Sequence, residues 1–184
     1  MRVGFIGTGN IGTPIAANIL KAGHSLVVHD IVREKADYLL ELGAEWADSP
    51  SAVASICDIT CTCLPGPTEM EQVTLGPGGI LEGVRPGSTY IDHTTSSPLL
   101  AQRVHGVLKE RGVNMLDAPV SGGVEGARIR DLLVMVGGDD DTFEKCKPLL
   151  EAIGERVYHT GDIGAGCICK IMHNTAVFCT DMAM

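Results

Sequence analysis

The sequence predicts a doubly wound α/β fold: a mostly parallel sheet with helices on both faces. Three observations point to it. Short apolar runs alternate with helical stretches along most of the chain, and that alternation builds parallel sheets. A glycine turn, Gly7-Thr8-Gly9-Asn10-Ile11-Gly12, stands directly between the first apolar run and the first helical stretch. The loops after Ile6, Leu64, Asp92 and Asp117 carry Gly, Pro, Ser or Thr rather than large side chains. Those loops follow strands, where open α/β sheets place their ligands.

The elements follow in order. Residues 2–6 form a strand. Ile15, Ala16, Ile19 and Leu20 then recur at helical spacing, and Gly23 closes the helix. Residues 25–29 form the next strand, ended by Asp30, and residues 31–42 a second helix stopped by Gly43. Residues 44–48 can form a short strand. Ser49-Pro50 and Ser97-Pro98 each read as a cap followed by proline at the first helical position. Residues 58–64 are a strand running into the turn Pro65-Gly66-Pro67, with a short helix at 68–75 beyond it. Strands at 88–92 and 113–117 flank a helix that ends near Arg111. Residues 132–136 and 156–159 are strands around a helix at 139–153, and together they extend the sheet. Asp139, Asp140 and Asp141 open that helix, where carboxylates suit the dipole better than they would suit one shared metal ion.

Composition narrows the function. The chain has 184 residues, 45% hydrophobic and 20% charged, which is globular and long enough to bury a core unaided. A formal net charge of −9 without any Lys/Arg-rich stretch argues against nucleic acid or an anionic membrane as partner. No signal-peptide core and no membrane-spanning stretch is present. Seven cysteines, an odd number, suggest a reducing, cytoplasmic setting rather than a disulfide framework. Cys61 and Cys63 would share one strand face, whereas Cys167 and Cys169 would point apart on a helix. Neither pair has zinc-ligand spacing, so no metal is expected and buried free thiols are the simpler reading.

The chemistry begins at the glycine turn. Gly7, Gly9 and Gly12 have the spacing of a dinucleotide fingerprint. One makes the tight turn, one admits a pyrophosphate, and one lets helix pack on strand. Asp30 stands 18 residues after Gly12, near the place of the acid that accepts ribose hydroxyls. It points to NAD, because a carboxylate repels a 2′-phosphate; Arg33 nearby leaves NADP open. Further along, Asp117-Ala118-Pro119-Val120-Ser121-Gly122-Gly123 reads either as a turn or as a set of donors for a carboxylate. Gly164-Ala165-Gly166 opens a helix on which Lys170 and Asn174 share one face. By residue type alone, Lys170 is either a snorkelling surface side chain or a proton-transfer group whose pKa is lowered by desolvation.

Taken together, these stretches resemble the β-hydroxyacid dehydrogenase family, the group of 3-hydroxyisobutyrate dehydrogenase and tartronate semialdehyde reductase, more distantly 6-phosphogluconate dehydrogenase. The resemblance covers nearly the whole chain. It is carried by VGFIGTGNIGTPIAANILKAGH, Cys63-Leu64-Pro65, Asp92-His93-Thr94-Thr95, DAPVSGG at 117–123 and GAGCICKIMHN at 164–174. It implies a Rossmann-type NAD(P)-binding domain over residues 1–163 and the start of a long interdomain helix over 164–184. Asn10 and Ile11 would then lie against the pyrophosphate with the glycines, Leu64 and Pro65 would flank the cofactor, and Thr95 would contact its nicotinamide half. Ser121, Gly122 and Gly123 would hold a substrate carboxylate, Lys170 would be the catalytic acid/base, and Asn174 would help to place substrate. The implied activity is hydride transfer between a nicotinamide cofactor and a small β-hydroxyacid. A non-catalytic dinucleotide-binding module, or a semialdehyde, glyoxylate or imine reductase, is the alternative. His93, Cys167 and Cys169 depart from the family pattern.

The family continues into an all-helical C-terminal domain, whereas this chain stops at Met184. Residues 175–184 are apolar and have no C-capping glycine. The expectation is a fragment, or a chain whose second half is encoded elsewhere, with a helix that seeks a partner. Homo-oligomers through that helix are expected.

Overall fold

The computed structural model describes residues 1–184. The chain runs through β1 (Arg2–Ile6), α1 (Gly12–Lys21), β2 (Ser25–His29), a 3-10 turn (Arg33–Ala36) leading into α2 (Asp37–Glu41), β3 (Glu45–Trp46) and α3 (Pro50–Ile56). It continues through β4 (Ile59–Thr62), α4 (Pro67–Leu75), α5 (Ile80–Gly83), β5 (Thr89–Asp92), α6 (Pro98–Glu110) and β6 (Asn114–Asp117). The last part is β7 (Val120–Ser121), α7 (Gly123–Ile129), β8 (Leu133–Gly138), α8 (Asp140–Ile153), β9 (Arg156–Gly161) and α9 (Ala165–Ala183).

The strands form one sheet in the order β3-β2-β1-β4-β5-β6-β8-β7, with β9 on the other edge of β8. The six strands from β3 to β6 are mutually parallel. Order reverses between β1 and β4, since the chain builds outward from β1 first on one side and then on the other. That is a topological switch point, and the crevice above it lies at the carboxyl ends of both strands.

Strand residues alternate between faces, and so the sheet separates two cores. On one side Val3, Phe5, Leu26, Val28 and Leu116 pack against Ile15 and Ile19 of α1, Leu39 of α2, and Leu149 and Leu150 of α8. On the other, Ile6, Val27, Tyr90 and Met115 pack against Val53 of α3, Met70 of α4, and Val104 and Leu108 of α6. Each such side chain, fully buried, contributes about 1.5–3 kcal/mol. A Cβ on Gly4 would collide with Val53, so the bare residue is what lets α3 lie close on the central strand.

Two helix caps fall where the sequence puts them. Ser49 caps α3, accepting from the Ala52 N–H at 3.1 Å, with Pro50 in its first turn. Asp139 caps α8, accepting from the Thr142 N–H at 3.1 Å. All seven cysteines are free, but only Cys57, Cys61, Cys146 and Cys167 are buried thiols; Cys63 and Cys169 are half-buried and Cys179 is exposed. No helix is long and apolar enough to cross a membrane.

Other expectations are corrected. The helix expected over 31–42 is only α2 with its 3-10 lead-in. The Asp30 carboxylate accepts from the Val32 N–H at 2.9 Å, and Val32 stays extended at φ −111°, which postpones the helix. Ser97 precedes α6 but its side chain accepts no capping hydrogen bond. β4 ends at Thr62, so Cys63 lies past the strand and does not share a strand face with Cys61. The sheet extension is not simply parallel. β8 runs antiparallel to β6, because β7 continues β6 along the same edge of β8 and the connection through α7 then reverses the chain, and β8-α8-β9 is a parallel unit of opposite direction.

Candidate functional site

A cleft of about 740 Å³ opens at the carboxyl ends of the parallel strands. The four loops that the sequence singles out all contribute to its walls, beside the end of β2, Pro50 of α3, Glu69, Gln72 and Val73 of α4, and the α4–α5 turn. The β1–α1 turn contributes Gly7, Gly9, Asn10, Ile11 and Gly12; the end of β2 contributes His29 and Asp30. The β4–α4 loop contributes Cys63, Leu64 and Pro65, the β5–α6 loop His93 and Thr95, and the stretch after β6 Val120, Ser121, Gly122 and Gly123. Lys170 of α9 completes the wall.

The three fingerprint glycines differ in what their bareness does. Gly7 has φ +94°, and a Cβ there would run into the Cys63 carbonyl. A Cβ on Gly12 would run into the Gly7 carbonyl, so this glycine lets α1 start tight against the turn. A Cβ on Gly9 would meet nothing within 4 Å. Gly9 is bare toward the cleft, not toward protein, which is the room a pyrophosphate needs. The Thr13 hydroxyl donates to the Thr8 carbonyl at 2.7 Å and braces the turn. No side chain caps α1 and no acid occupies its first turn; the Thr13 N–H is spent on the Gly9 carbonyl at 2.9 Å and Pro14 has none, so the Asn10, Ile11 and Gly12 N–H groups are the ones left open to an anion. The cradle fits a dinucleotide.

Asp30 is buried beside this turn. Its Oδ2 accepts from the Thr8 N–H at 2.8 Å and its Oδ1 from Val32. Oδ2 also accepts from the Thr8 hydroxyl at 3.4 Å, so Oδ1 is the oxygen that keeps a lone pair for a ribose hydroxyl. Arg33 does not reach the cleft; its guanidinium sits 5.2 Å from the centre of the Trp46 ring. Lys35 is the cation on the wall at that end.

Asp92 does comparable work at the end of β5. Thr74 donates to Tyr90, Tyr90 bonds Thr62 at 2.8 Å, and Thr62 donates to Asp92 Oδ1 at 2.7 Å. The same oxygen accepts from the Thr94 N–H at 3.0 Å, and the Thr94 hydroxyl accepts from the Leu64 N–H at 3.1 Å. Two cleft loops are thereby tied together through one carboxylate. Its other oxygen is buried without a partner. Burial outweighs the hydrogen bonds and raises the Asp92 pKa to about 6. Next to it, burial lowers the His93 pKa to about 4. His93 Nδ1 lies 2.9 Å from the Ala118 carbonyl, which can only accept. The neutral ring therefore keeps its proton on Nδ1 and leaves Nε2 a bare acceptor.

Lys170 is 7% exposed, and burial lowers its pKa. No carboxylate lies within ion-pair distance of it. Such an amine shares its wall with Thr95, Ser121, Gly122 and Gly123 and can exchange a proton with a ligand held there. Every residue that the sequence assigns to the site lines the cleft except Asn174, which lies half-buried one turn farther along α9. Sequence reasoning missed the structural parts of Asp92, Thr94 and Asp117. One signal for the two aspartates was available: an acid ending a buried apolar strand requires donors.

Residues 2–161 match a family model described as the NAD binding domain of 6-phosphogluconate dehydrogenase. The chain is 40% identical over 173 residues to the NAD-dependent L-serine dehydrogenase of Pseudomonas aeruginosa, covering 94% of this chain and 58% of that protein. It is 40% identical over 177 residues to the 2-hydroxy-3-oxopropionate reductase of Escherichia coli, covering 96% of this chain and 60% of the reductase. Among solved structures, the 3-hydroxyisobutyrate dehydrogenase of Mycobacterium tuberculosis with L-serine superposes with a TM-score of 0.91 at 33% identity, over 96% of this chain and 60% of that one. The chain thus spans somewhat over half the length of the relatives it matches.

Proposed function

The chain belongs to the family of the NAD binding domain of 6-phosphogluconate dehydrogenase, and from that premise we propose that it serves an oxidoreductase acting on a small β-hydroxyacid or the corresponding semialdehyde. One observation carries the reading. The glycine turn and Lys170, at opposite ends of the sequence, stand on the walls of one cleft together with Ser121, Gly122 and Gly123.

The glycine turn and the α1 N-terminus hold the pyrophosphate, with Asn10 and Ile11 beside it. Asp30 accepts from the ribose and favours NAD; Lys35 at the same end keeps NADP open. Leu64 and Pro65 flank the cofactor, and Thr95 meets its nicotinamide half. A bound nicotinamide supplies or takes the hydride. The Ser121 hydroxyl and the Gly122 and Gly123 N–H groups hold the substrate carboxylate; Asn174, one turn beyond Lys170 and off the cleft wall, has only the resemblance to support a part in placing the substrate. Lys170, as the free amine, takes the proton from the substrate hydroxyl during oxidation. As the ammonium, it returns that proton to the carbonyl oxygen during reduction. Burial lowers its pKa, which favours the free amine relative to an exposed lysine.

Residues 164–184 are proposed to begin an interdomain helix, and a homo-oligomer through α9 is part of the same reading. Its support is the row of exposed apolar side chains there, including Met172, Phe178 and Met182. Seven free thiols support a cytoplasmic location.

The test begins with fluorescence titrations of NADH and NADPH on the chain as it stands. Turnover of 3-hydroxyisobutyrate, glycerate and serine is then assayed, with the chain alone and with it joined to the C-terminal portion of a relative. Lys170→Ala should keep NADH binding and lose about 10²-fold or more in turnover. Full activity in that variant overturns the role of Lys170, and failure to bind either cofactor overturns the whole reading.

A further inference from the structure

Asp117 ends β6, is fully buried, and lines no part of the cleft. Its two carboxylate oxygens are spent on one target. Oδ1 accepts from the Gly164 N–H and Oδ2 from the Cys167 N–H, each at 2.7 Å. These are N–H groups at the start of α9, which no side chain of the helix itself caps. Burial raises the Asp117 pKa, against the pull of these same hydrogen bonds. The approach is as close as backbone permits. A Cβ on Gly166 would collide with the Met135 carbonyl, and one on Gly137 with Asp117 Oδ1 itself.

The rest of α9 offers little other attachment. Its buried residues are Gly166, Cys167 and Lys170 alone, and from Ile171 onward the helix is half-buried or exposed. Lys170 follows Cys167 by three residues, so its Cα stands about 4.5 Å farther along a rigid helix. A clamp on the first turn therefore fixes the height and rotation at which the amine enters the cleft. We propose that Asp117 is the positioning residue for Lys170: through the Gly164 and Cys167 N–H groups it seats the start of α9 so that the Lys170 amine is held buried at the cleft wall. The inference deepens the proposed role of Lys170 and rests on it for its catalytic meaning. Its geometry can be tested without turnover, so the two can fail separately.

The experiment is competitive trace acetylation of the intact chain across a range of pH, read lysine by lysine by mass spectrometry. In Asp117→Asn, and more so in Asp117→Ala, the Lys170 midpoint should move up by at least about half a unit, leaving roughly threefold fewer neutral amines at a given pH. Lys35 and Lys109 should keep their midpoints, and NADH affinity should stay within about threefold of wild type. A variant that binds NADH and labels Lys170 with the wild-type midpoint overturns the proposal. A purely structural Asp117 would produce that outcome, with a lower urea midpoint only. If both variants fail to fold, the unaltered chain decides. In rising urea, Gly164 and Cys167 amide exchange and Lys170 labelling should increase together, before NADH is released. Lys170 labelling that rises while those amides stay protected overturns it equally.

Discussion

Asp92 and His93 are adjacent and buried, and burial drives their ionisation in opposite directions. Asp92 rises from 3.8 to about 6, so the folded chain holds a proton there that the unfolded chain has lost. Its contribution is full below pH 3.8 and is lost as pH rises through about 6. His93 falls from 6.5 to about 4, so the unfolded chain binds a proton that the folded one refuses. Its contribution is present above pH 6.5 and is lost as pH falls through about 4. Between these limits the two slopes oppose, each at up to about 1.4 kcal/mol per pH unit. Asp92→Asn should therefore make stability rise with pH more steeply than in the wild type, and His93→Gln should make it fall. Urea unfolding at a series of pH values reads both. At this scale the sequence was informative where one residue's type sets its chemistry: the fingerprint glycines, Asp30, Ser121 and Lys170 all stand on the cleft. It was silent where a role depends on what crosses the sheet. Nothing local says that Asp92 collects Thr62 and Thr94, or that Arg33 folds back onto Trp46 and leaves the cleft wall to Lys35.

Elements with a period and a boundary were legible, and elements made by their neighbours were not. β1, α1, β2 and α8 combine apolar spacing with glycine or acid punctuation. α7 is seven residues containing two glycines, and a peptide of that length and composition forms no helix by itself. It exists because α1 holds it. Asn18 of α1 is buried and its side-chain amide donates to the Ala127 carbonyl of α7 at 2.7 Å. That bond joins the helix behind the glycine turn to the helix that begins at Gly122 and Gly123. Asn18→Ala should leave the carbonyl unsatisfied and cost about 1–3 kcal/mol in urea unfolding. Because the same bond steadies one wall of the cleft, NADH affinity should weaken with it in a fluorescence titration.

The whole molecule is a sheet with a loaded end. Both cores lie along its faces, and the four loops at the carboxyl ends converge because parallel strands present their ends together. That much followed from alternation in the sequence. The reversed β8-α8-β9 unit did not, since strand direction at an edge is decided by the connection through β7 and α7. α9 stands apart from both cores for most of its length, with Phe178 60% and Met182 80% exposed. Such a surface should make the chain self-associate as its concentration rises, and replacing Phe178 and Met182 together with Glu should shift sedimentation toward the monomer.

The chain's single tryptophan, Trp46, lies in β3 between two groups with different duties. The Arg33 guanidinium covers its ring, and on another side the His29 ring stands 5.3 Å away, itself part of the cleft wall. One fluorophore thus sits just outside the cleft, against the imidazole that lines it. Under the proposed function the protein carries its own optical gauge: its emission should change when a ligand settles against His29, and energy transfer to a reduced nicotinamide should appear in addition when a whole dinucleotide binds. The two signals together tell whether a dinucleotide lies stretched along the cleft or is held by its adenosine half.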